Sequence, residues 1–271
     1  MFKLSKRLLA VVFALVAGAC ATPIPARESL PVEARSMIGS TEVAAPVKQS
    51  EIYVFVPDSQ IAAAGGGGLL LALIDVGVNS VRTGKAEDAV KPLRDSLVDF
   101  NFDDTLDSEL GAALGKIAWL GVRNVHTVKA ATNQNLDSVL AGSKDGAVLF
   151  TATDYHLLND GDVLTMTMTA SLFANNDALR SLKPTKNSKI RTSLENSLYH
   201  NTFSFEFRGP GTTAERDHNI PIWAADNGAM MRAALKQGAS EMAAKLASDL
   251  QNGEQPATAA AKIGVSVAAS N

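Results

Sequence analysis

The chain has 271 residues, a formal net charge of −3 and a single cysteine. This length is sufficient for one sizeable domain, and one thiol excludes an intramolecular disulfide framework. Because an acidic protein does not attract a phosphate backbone over long range, the charge argues against nucleic acid as a partner. After the first 20 residues, no apolar run reaches the roughly 18 residues of a membrane-spanning helix.

The N-terminal segment has the pattern of an export signal. Lys3, Lys6 and Arg7 form a positive region, and Leu8–Val16 is apolar and uncharged. Small residues follow and lead directly to Cys20. This order is typical of a secretory signal, here with a thiol at its end. A plain signal peptide with an incidental cysteine and a short membrane anchor are the alternatives.

Residues 17–20, Ala-Gly-Ala-Cys, resemble the lipobox of bacterial lipoproteins. The resemblance implies that residues 1–19 are removed as a signal peptide, and that Cys20 is lipidated on its sulfur and acylated on the new N-terminus. Ala17 departs from the leucine that the family usually has at that position. Lipoproteins kept in the inner membrane usually have aspartate where this chain has Ala21. The resemblance therefore implies an outer-membrane anchor with the domain in the periplasm.

Residues 20–50 are predicted to be the lipidated N-terminus and a flexible tether, because they contain four prolines and little hydrophobic periodicity. Glu51–Pro57, a β-branched and aromatic run, is predicted to be the first core strand. The globular domain is predicted to span residues 51–252. The Ala-rich residues 253–271 are predicted to form a disordered tail.

Four consecutive glycines, Gly65–Gly68, precede the apolar sequence Leu69–Arg82. Glycine disfavours a helix start, whereas the apolar spacing after it favours a helix. We therefore expect a flexible loop that leads into a core helix. Contact of the uncharged run Ile61–Ile74 with a membrane or partner is an alternative, and so is a phosphate-binding loop. No Lys-Ser or Lys-Thr follows the glycines, as such a loop requires.

Short helices and one strand are predicted before the centre of the chain. Lys85–Phe100 is amphipathic and is predicted to be helical. Asp104 or Thr105 is predicted to cap the next helix. A short strand is predicted at residues 122–129, and a short helix at residues 135–141.

The clearest local signal is a hairpin over residues 149–172. Asp160-Gly161 is the sequence of a type I′ turn. A register centred on this turn gives both strands one apolar and one polar face, which a one-residue slip would destroy. The predicted pairs are Leu149 with Leu172, Thr153 with Met168, Tyr155 with Met166 and Leu157 with Leu164 on one face, and Ala152 with Thr169, Asp154 with Thr167 and His156 with Thr165 on the other.

Two further elements complete the predicted fold. Tyr199–Phe207 alternates in polarity and is predicted to add a third antiparallel strand. A helix from about Ala225 to Leu250 is predicted to bury a stripe formed by Met231, Leu235, Met242, Leu246 and Leu250. The order of elements predicts one α+β or α/β domain, with a mixed, largely antiparallel sheet covered by helices. This organisation resembles outer-membrane lipoproteins of envelope assembly, such as the curli secretion subunit and the activators of penicillin-binding proteins.

The sequence contains no recognisable catalytic signature. Gly-x-Ser-x-Gly, Ser-x-x-Lys and His-Glu-x-x-His are absent from it, and we predict no catalytic residue, cofactor or metal. Asp154 and His156 share a predicted strand face that His200 could join from a neighbouring strand. Such a trio could bind a metal or act as acid and base in a lipid-anchored hydrolase. A solvated polar sheet surface is the simpler interpretation.

Residues 175–197 carry a net charge of +3 in an acidic chain, and we call them the basic loop. Because loops frequently carry binding function, the basic loop is a candidate contact for an anionic lipid, cell-wall polymer or protein. A merely solvated charge run is the alternative. The residues predicted to make the contact are Arg180, Lys183, Lys186, Lys189 and Arg191.

These observations favour a membrane-anchored, non-catalytic periplasmic lipoprotein that binds an envelope partner or self-associates. The hydrolase is one alternative. The other is a small-ligand-binding lipoprotein with an apolar pocket between the sheet and Gly65–Gly68.

Overall fold

A computed structural model describes residues 27–47, 49–55, 84–129, 133–158 and 160–252. Within these residues, five strands form one mixed sheet and six α-helices accompany it. The strands are β1 (Thr41–Pro46), β2 (Val122–Val128), β3 (Ala147–Leu157), β4 (Val163–Ala174) and β5 (Tyr199–Arg208). The helices are α1 (Ala34–Ile38), α2 (Gly84–Ser96), α3 (Phe102–Leu114), α4 (Asn133–Gly142), α5 (Asp177–Leu182) and α6 (Arg216–Asn252).

The sheet has the strand order β2-β1-β3-β4-β5. β1 pairs in parallel with β2 and β3, whereas β3, β4 and β5 form an antiparallel meander. The predicted α+β domain with a mixed, largely antiparallel sheet is therefore confirmed. No helix in the described ranges combines the length and hydropathy needed to cross a bilayer.

The hairpin has the predicted register. All seven predicted pairs occur, from Leu149 opposite Leu172 at one end to Leu157 opposite Leu164 at the other. The Gly161 N–H donates to the Leu158 carbonyl at 2.7 Å, and Gly161 has a φ of +66°, which glycine adopts at no steric cost. The closing bond runs from Gly161 to Leu158, so the turn starts one residue earlier than the predicted two-residue type I′ loop of Asp160-Gly161. The predicted register of the two strands is nevertheless kept.

The prediction of a tether over residues 20–50 is wrong for residues 27–47. β1 lies inside the sheet, and Val43, Ala44 and Ala45 are fully buried. Alanine and proline are poor strand formers, so the sequence Thr-Glu-Val-Ala-Ala-Pro gives little local strand signal. The small alanines fit here because β1 is covered on both faces.

The predicted first core strand at Glu51–Pro57 is not a strand of the sheet. Val54 forms one isolated parallel bridge with Leu157, and the Phe55 N–H donates to the Leu157 carbonyl at 2.7 Å. The apolar run therefore packs beside the end of β3, where Ile52 is buried too. Residues 56 and 57 lie outside the described ranges.

Helices α2 and α3 agree with the predicted pattern, apart from one cap. Val90 and Leu93 bury the inner face of α2. Asn101, and not Asp104 or Thr105, caps α3: its side-chain oxygen accepts hydrogen bonds from the backbone N–H groups of Asp103 and Asp104. The backbone of Asn101 is extended, so helical dihedral angles begin at the next residue, Phe102.

The C-terminal helix begins earlier than predicted and contains a break. Helical structure starts at Arg216, and Ala225–Gly228 departs from helical dihedral angles. After the break, the predicted stripe from Met231 to Leu250 is fully buried. A Cβ on Gly238 would overlap the sulfur of Met166, so glycine permits α6 to approach the sheet closely.

The two faces of the sheet are covered differently. On one face, α6 packs against α2, α3, β4 and β5 over the main core. On the other face, Leu136 and Leu140 of α4 cover Val148, Phe150 and Phe173. Farther along β3, this second face becomes polar, at Asp154 and His156.

Candidate functional site

A cluster of Tyr53, Asp154 and His156 lies at the polar end of β3. The Asp154 carboxylate is 2.8 Å from His156 Nδ1. The Tyr53 hydroxyl donates to the same carboxylate, at 2.9 Å from Oδ1 and 3.2 Å from Oδ2. The rings of Tyr53 and Phe55 each have their centroids 5.3 Å from that of His156. We call these four residues the Asp154 cluster.

The Asp154 cluster is shielded from water. The side chains of Asp154 and His156 are 13% and 15% exposed. Burial, followed by the charge of Asp154 and the hydrogen bond to it, raises the pKa of Tyr53 above its ordinary value. Tyr53 therefore stays a hydrogen-bond donor. Because Nδ1 of His156 is directed at the carboxylate, Nε2 is the ring atom left for a hydrogen bond with another group.

His200 does not join the Asp154 cluster. It lies opposite Ser171 on β4, whereas Asp154 lies opposite Thr167, and four residues of strand span about 14 Å. His200 instead has its Nδ1 3.6 Å from a Glu28 carboxylate oxygen. The predicted hydrolase trio is therefore wrong as a constellation, although all three side chains share one face of the sheet.

The structure assigns different roles to the five predicted contact residues of the basic loop. Lys183 is internal: its ammonium group is 2.6 Å from both carboxylate oxygens of Glu28 and from the Ser197 carbonyl. Arg180 pairs with Asp177 at 3.1 Å. Lys186, Lys189 and Arg191 form no ion pair with another described residue. Contact of this loop with a partner stays a prediction.

Two polar side chains that sequence reasoning missed fix the shape of the basic loop. The Asn196 amide donates to the carbonyls of residues 187, 190 and 191 and accepts from the N–H groups of residues 186 and 187. Asp137 of α4 accepts from the N–H groups of residues 191 and 192. Asparagine and aspartate bond to backbone groups in many loops, but the sequence does not indicate which loop they stabilise.

A second largely buried carboxylate, that of Asp249 in α6, was also not predicted from the sequence. It is 2.5 Å from the Arg27 guanidinium and accepts hydrogen bonds from the Tyr199 hydroxyl at 2.8 Å and the Asn201 amide at 3.0 Å. Burial and the charge of Asp249 raise the pKa of Tyr199 above its ordinary value. We call these four residues the Asp249 cluster. It fastens the start of the described chain to the sheet and to α6.

A cavity of about 310 Å³ opens between α2, α3 and the segment after β1. Phe102 and Tyr155 form part of its wall, with ring centroids 4.4 Å apart. Two ion pairs lie at its rim, Arg94 with Glu51 and Lys129 with Asp103. Its volume is at the lower limit for small-molecule sites.

The remaining predicted sites lie outside the described residues. These are the lipidation site Cys20, the glycines 65–68 and the tail 253–271. Among the residues that the structure describes, no group of three or more His, Cys, Asp and Glu side chains is placed to hold a metal ion.

The fold and its clusters define an α+β domain with a mixed five-stranded sheet. No protein-family model and no curated protein matches the chain. Among solved structures, an uncharacterised protein is 13% identical with a TM-score of 0.33, covering 82% of this chain and 95% of its own. The PelC dodecamer from Paraburkholderia phytofirmans is 14% identical with a TM-score of 0.30, covering 85% of this chain and 97% of its own. Similarity this low carries no argument about function or assembly.

Proposed function

We propose that the protein is a lipid-anchored, non-catalytic component of the bacterial envelope that binds an envelope partner or a second copy of itself. The observation that carries this proposal is the position of the only cysteine, Cys20, directly after an export signal. A thioether-linked lipid at this position would hold the domain at a bilayer, and Ala21 is compatible with an outer-membrane destination.

The position at which the folded domain begins, close to Cys20, supports the proposal. Arg27 already belongs to the Asp249 cluster, so the domain begins within seven residues of Cys20. A segment of this length holds a domain near the membrane surface, where a partner in the same membrane meets it at high effective concentration.

Mass spectrometry of the protein purified from membranes tests the anchor. We expect an N-terminal peptide that begins at Cys20 and carries a diacylglyceryl group and an amide-linked acyl chain. The Cys20→Ser variant should remain unprocessed and lack both masses, whereas Ala21→Ser, as the matched control, should match the native protein. If the native protein carries no acyl group by mass, the proposed lipid anchor is refuted.

The outer strands of the sheet support the partner-binding part of the proposal. β2 and β5 are the two edge strands of the described sheet, and β5 has only the Glu28 bridge beyond it. Unpaired edge groups accept a strand from another chain. Hydrogen exchange of the mature protein in detergent should show β2 or β5 amides gaining protection as protein or partner concentration rises. Unchanged exchange at every concentration would speak against edge pairing.

A second candidate function is the binding of a small amphiphilic molecule, favoured by the cavity beside Phe102 and Tyr155. Native mass spectrometry of the membrane-purified protein should then reveal a bound mass. A Leu235→Trp substitution, which places a larger side chain at the cavity wall, should displace it, and the exposed Lys236→Trp should not. Identical spectra for all three proteins would dismiss this candidate.

A further inference from the structure

The path of the chain into the fold is fixed at one end of the domain. The Arg27 guanidinium pairs with Asp249, three residues before the end of α6. Glu28 then forms an antiparallel bridge with His200: each backbone N–H donates to the carbonyl of the other, at 2.9 and 3.1 Å. Leu30 follows and is buried. The first residues of the domain are thus held against the start of β5 and the last turn of α6.

Chain length limits how far this end lies from a lipid on Cys20. Arg27 lies seven positions after Cys20, and a fully extended chain spans at most about 25 Å over seven positions. The opposite end of the domain, where a Cβ on Gly228 would overlap the Ser96 side chain, is about 30 Å from Asp249 along α6. The anchored domain therefore has a membrane-proximal and a membrane-distal end.

Exposed apolar and basic side chains lie together at the membrane-proximal end. Val32 and Met37, beside or within α1, are 73% and 37% exposed. The basic loop is adjacent, since the Asn176 side chain donates to the Met37 carbonyl at 3.0 Å and Lys183 binds Glu28. Lys186 and Lys189 are exposed within that loop.

Acidic side chains on the same elements do not cancel the positive charge. Glu33, Asp177 and Glu195 are exposed there, and residues 27–38 are neutral because two arginines balance two glutamates. Asp137 of α4 and Asp249 of α6 contact these two segments and lower the local sum from +3 to +1, which is still positive in a chain whose net charge is −3. Apolar side chains next to lysines that pair with no acidic group in the described ranges are typical of a surface that binds anionic headgroups.

We propose that Val32, Met37, Arg180, Lys186 and Lys189 form a membrane-contact surface that binds an anionic phospholipid bilayer. This inference rests on the proposed lipid anchor, and it identifies the anionic target of the basic loop as lipid rather than a protein or a cell-wall polymer. The two apolar side chains enter the headgroup region, and the lysines neutralise lipid phosphates. The surface sets the orientation of the domain, so that the edge of β2 remains available to a partner.

Site-specific quenching in nanodiscs tests the orientation. Acylation consumes the only native thiol, so a cysteine introduced at Met37 is the only thiol that a fluorophore can label. Val98→Cys is the matched control, because Val98 is 88% exposed and lies at the membrane-distal end. In phosphatidylcholine discs with phosphatidylglycerol, a headgroup nitroxide should quench the label at position 37 at least about twofold more than that at position 98.

Charge reversal tests which chemistry holds the orientation. We expect K186E/K189E in the Met37→Cys background to reduce quenching to the level of the Val98→Cys control, and discs without phosphatidylglycerol to do the same. The control K91E/K236E changes the net charge equally at sites on α2 and mid-α6, and should leave quenching unchanged. Equal quenching of the labels at positions 37 and 98 would refute the proposed membrane-contact surface. So would quenching at position 37 that changes neither without phosphatidylglycerol nor in K186E/K189E. The acyl mass measured on the same samples tests the anchor separately.

Discussion

The Asp154 and Asp249 clusters use the same groups on opposite faces of the sheet. In each, a largely buried carboxylate accepts a hydrogen bond from a buried tyrosine, at 2.9 Å from Tyr53 and 2.8 Å from Tyr199. In each, one partner comes from a segment outside the regular sheet. The clusters differ in the group that faces the carboxylate, which is Arg27 for Asp249 and His156 for Asp154.

This difference separates a cluster held by an ion pair with arginine from one held by histidine and tyrosine. A guanidinium is a planar cation with several N–H donors, so Arg27 faces Asp249 as an ion-pair partner. The imidazole of His156 faces Asp154 through one ring nitrogen, Nδ1, whereas a guanidinium offers several donors in one plane. We therefore infer that the Asp249 cluster holds the N-terminal segment against the sheet, and that the Asp154 cluster is the less strongly stabilised of the two.

Removing each carboxylate gives the largest predicted contrast. Asp249→Ala leaves the Arg27 guanidinium, the Tyr199 hydroxyl and the Asn201 amide without their shared acceptor, and should lower the free energy of unfolding by about 3 kcal/mol. Asp154→Ala should cost only about 1–2 kcal/mol, because it removes the hydrogen bonds to Tyr53 and His156 but leaves no buried guanidinium without its carboxylate. Urea unfolding of the membrane-purified proteins measures both. Equal losses would contradict the distinction between the clusters.

Alkaline unfolding tests what the two clusters have in common. The three tyrosines of the chain all have a pKa raised by burial. Above about pH 10 the unfolded chain releases phenolic protons that the folded chain retains, so stability present below pH 10 falls as pH rises, by about 1.4 kcal/mol per pH unit for each tyrosine. Tyr53→Phe and Tyr199→Phe should each remove about a third of the tyrosine contribution to the slope. An unchanged slope for either variant would refute a raised pKa at that residue.

The same two phenylalanine variants provide a smaller contrast at neutral pH. Each loses one hydrogen bond to a carboxylate, and we expect a loss of about 1 kcal/mol in the free energy of unfolding. Tyr199→Phe should be the more harmful of the two, because Tyr199 is 1% exposed and Tyr53 is 7% exposed. Thermal unfolding of matched samples decides the order, and the reverse order would weaken the structural role of the Asp249 cluster.

The smallest predicted effect concerns the ion pair beside the Asp249 cluster. Lys183→Met keeps the apolar stem but removes the bonds to Glu28 and Ser197, and should cost at most about 1 kcal/mol because Glu28 is 39% exposed. Lys189→Met, the control in the same loop, should have no measurable effect. A loss above about 2 kcal/mol for Lys183→Met, on the same order as that of Asp249→Ala, would show that Lys183 contributes as much as the Asp249 cluster to holding the N-terminal segment.

Local sequence determined the antiparallel half of the sheet and the inner face of α6. Alternating side chains and an Asp-Gly turn are sufficient to set the register of β3 and β4, because a shift by one residue would move every apolar side chain to the wrong face. The stripe from Met231 to Leu250 follows from helical spacing alone. The shared face of Asp154 and His156 follows from the two-residue period of a strand.

Only the tertiary structure decided where β1 lies, which carboxylates are paired and how far His200 is from Asp154. β1 is a weak strand by composition, and its neighbours β2 and β3 are about 80 and 106 residues away. Arg27 and Asp249 are 222 residues apart. Side-chain period assigns a residue to a face but not to a position along the neighbouring strand. Contacts between segments far apart in sequence depend on how all the helices and strands pack into one core, and a local sequence pattern carries no information about that packing.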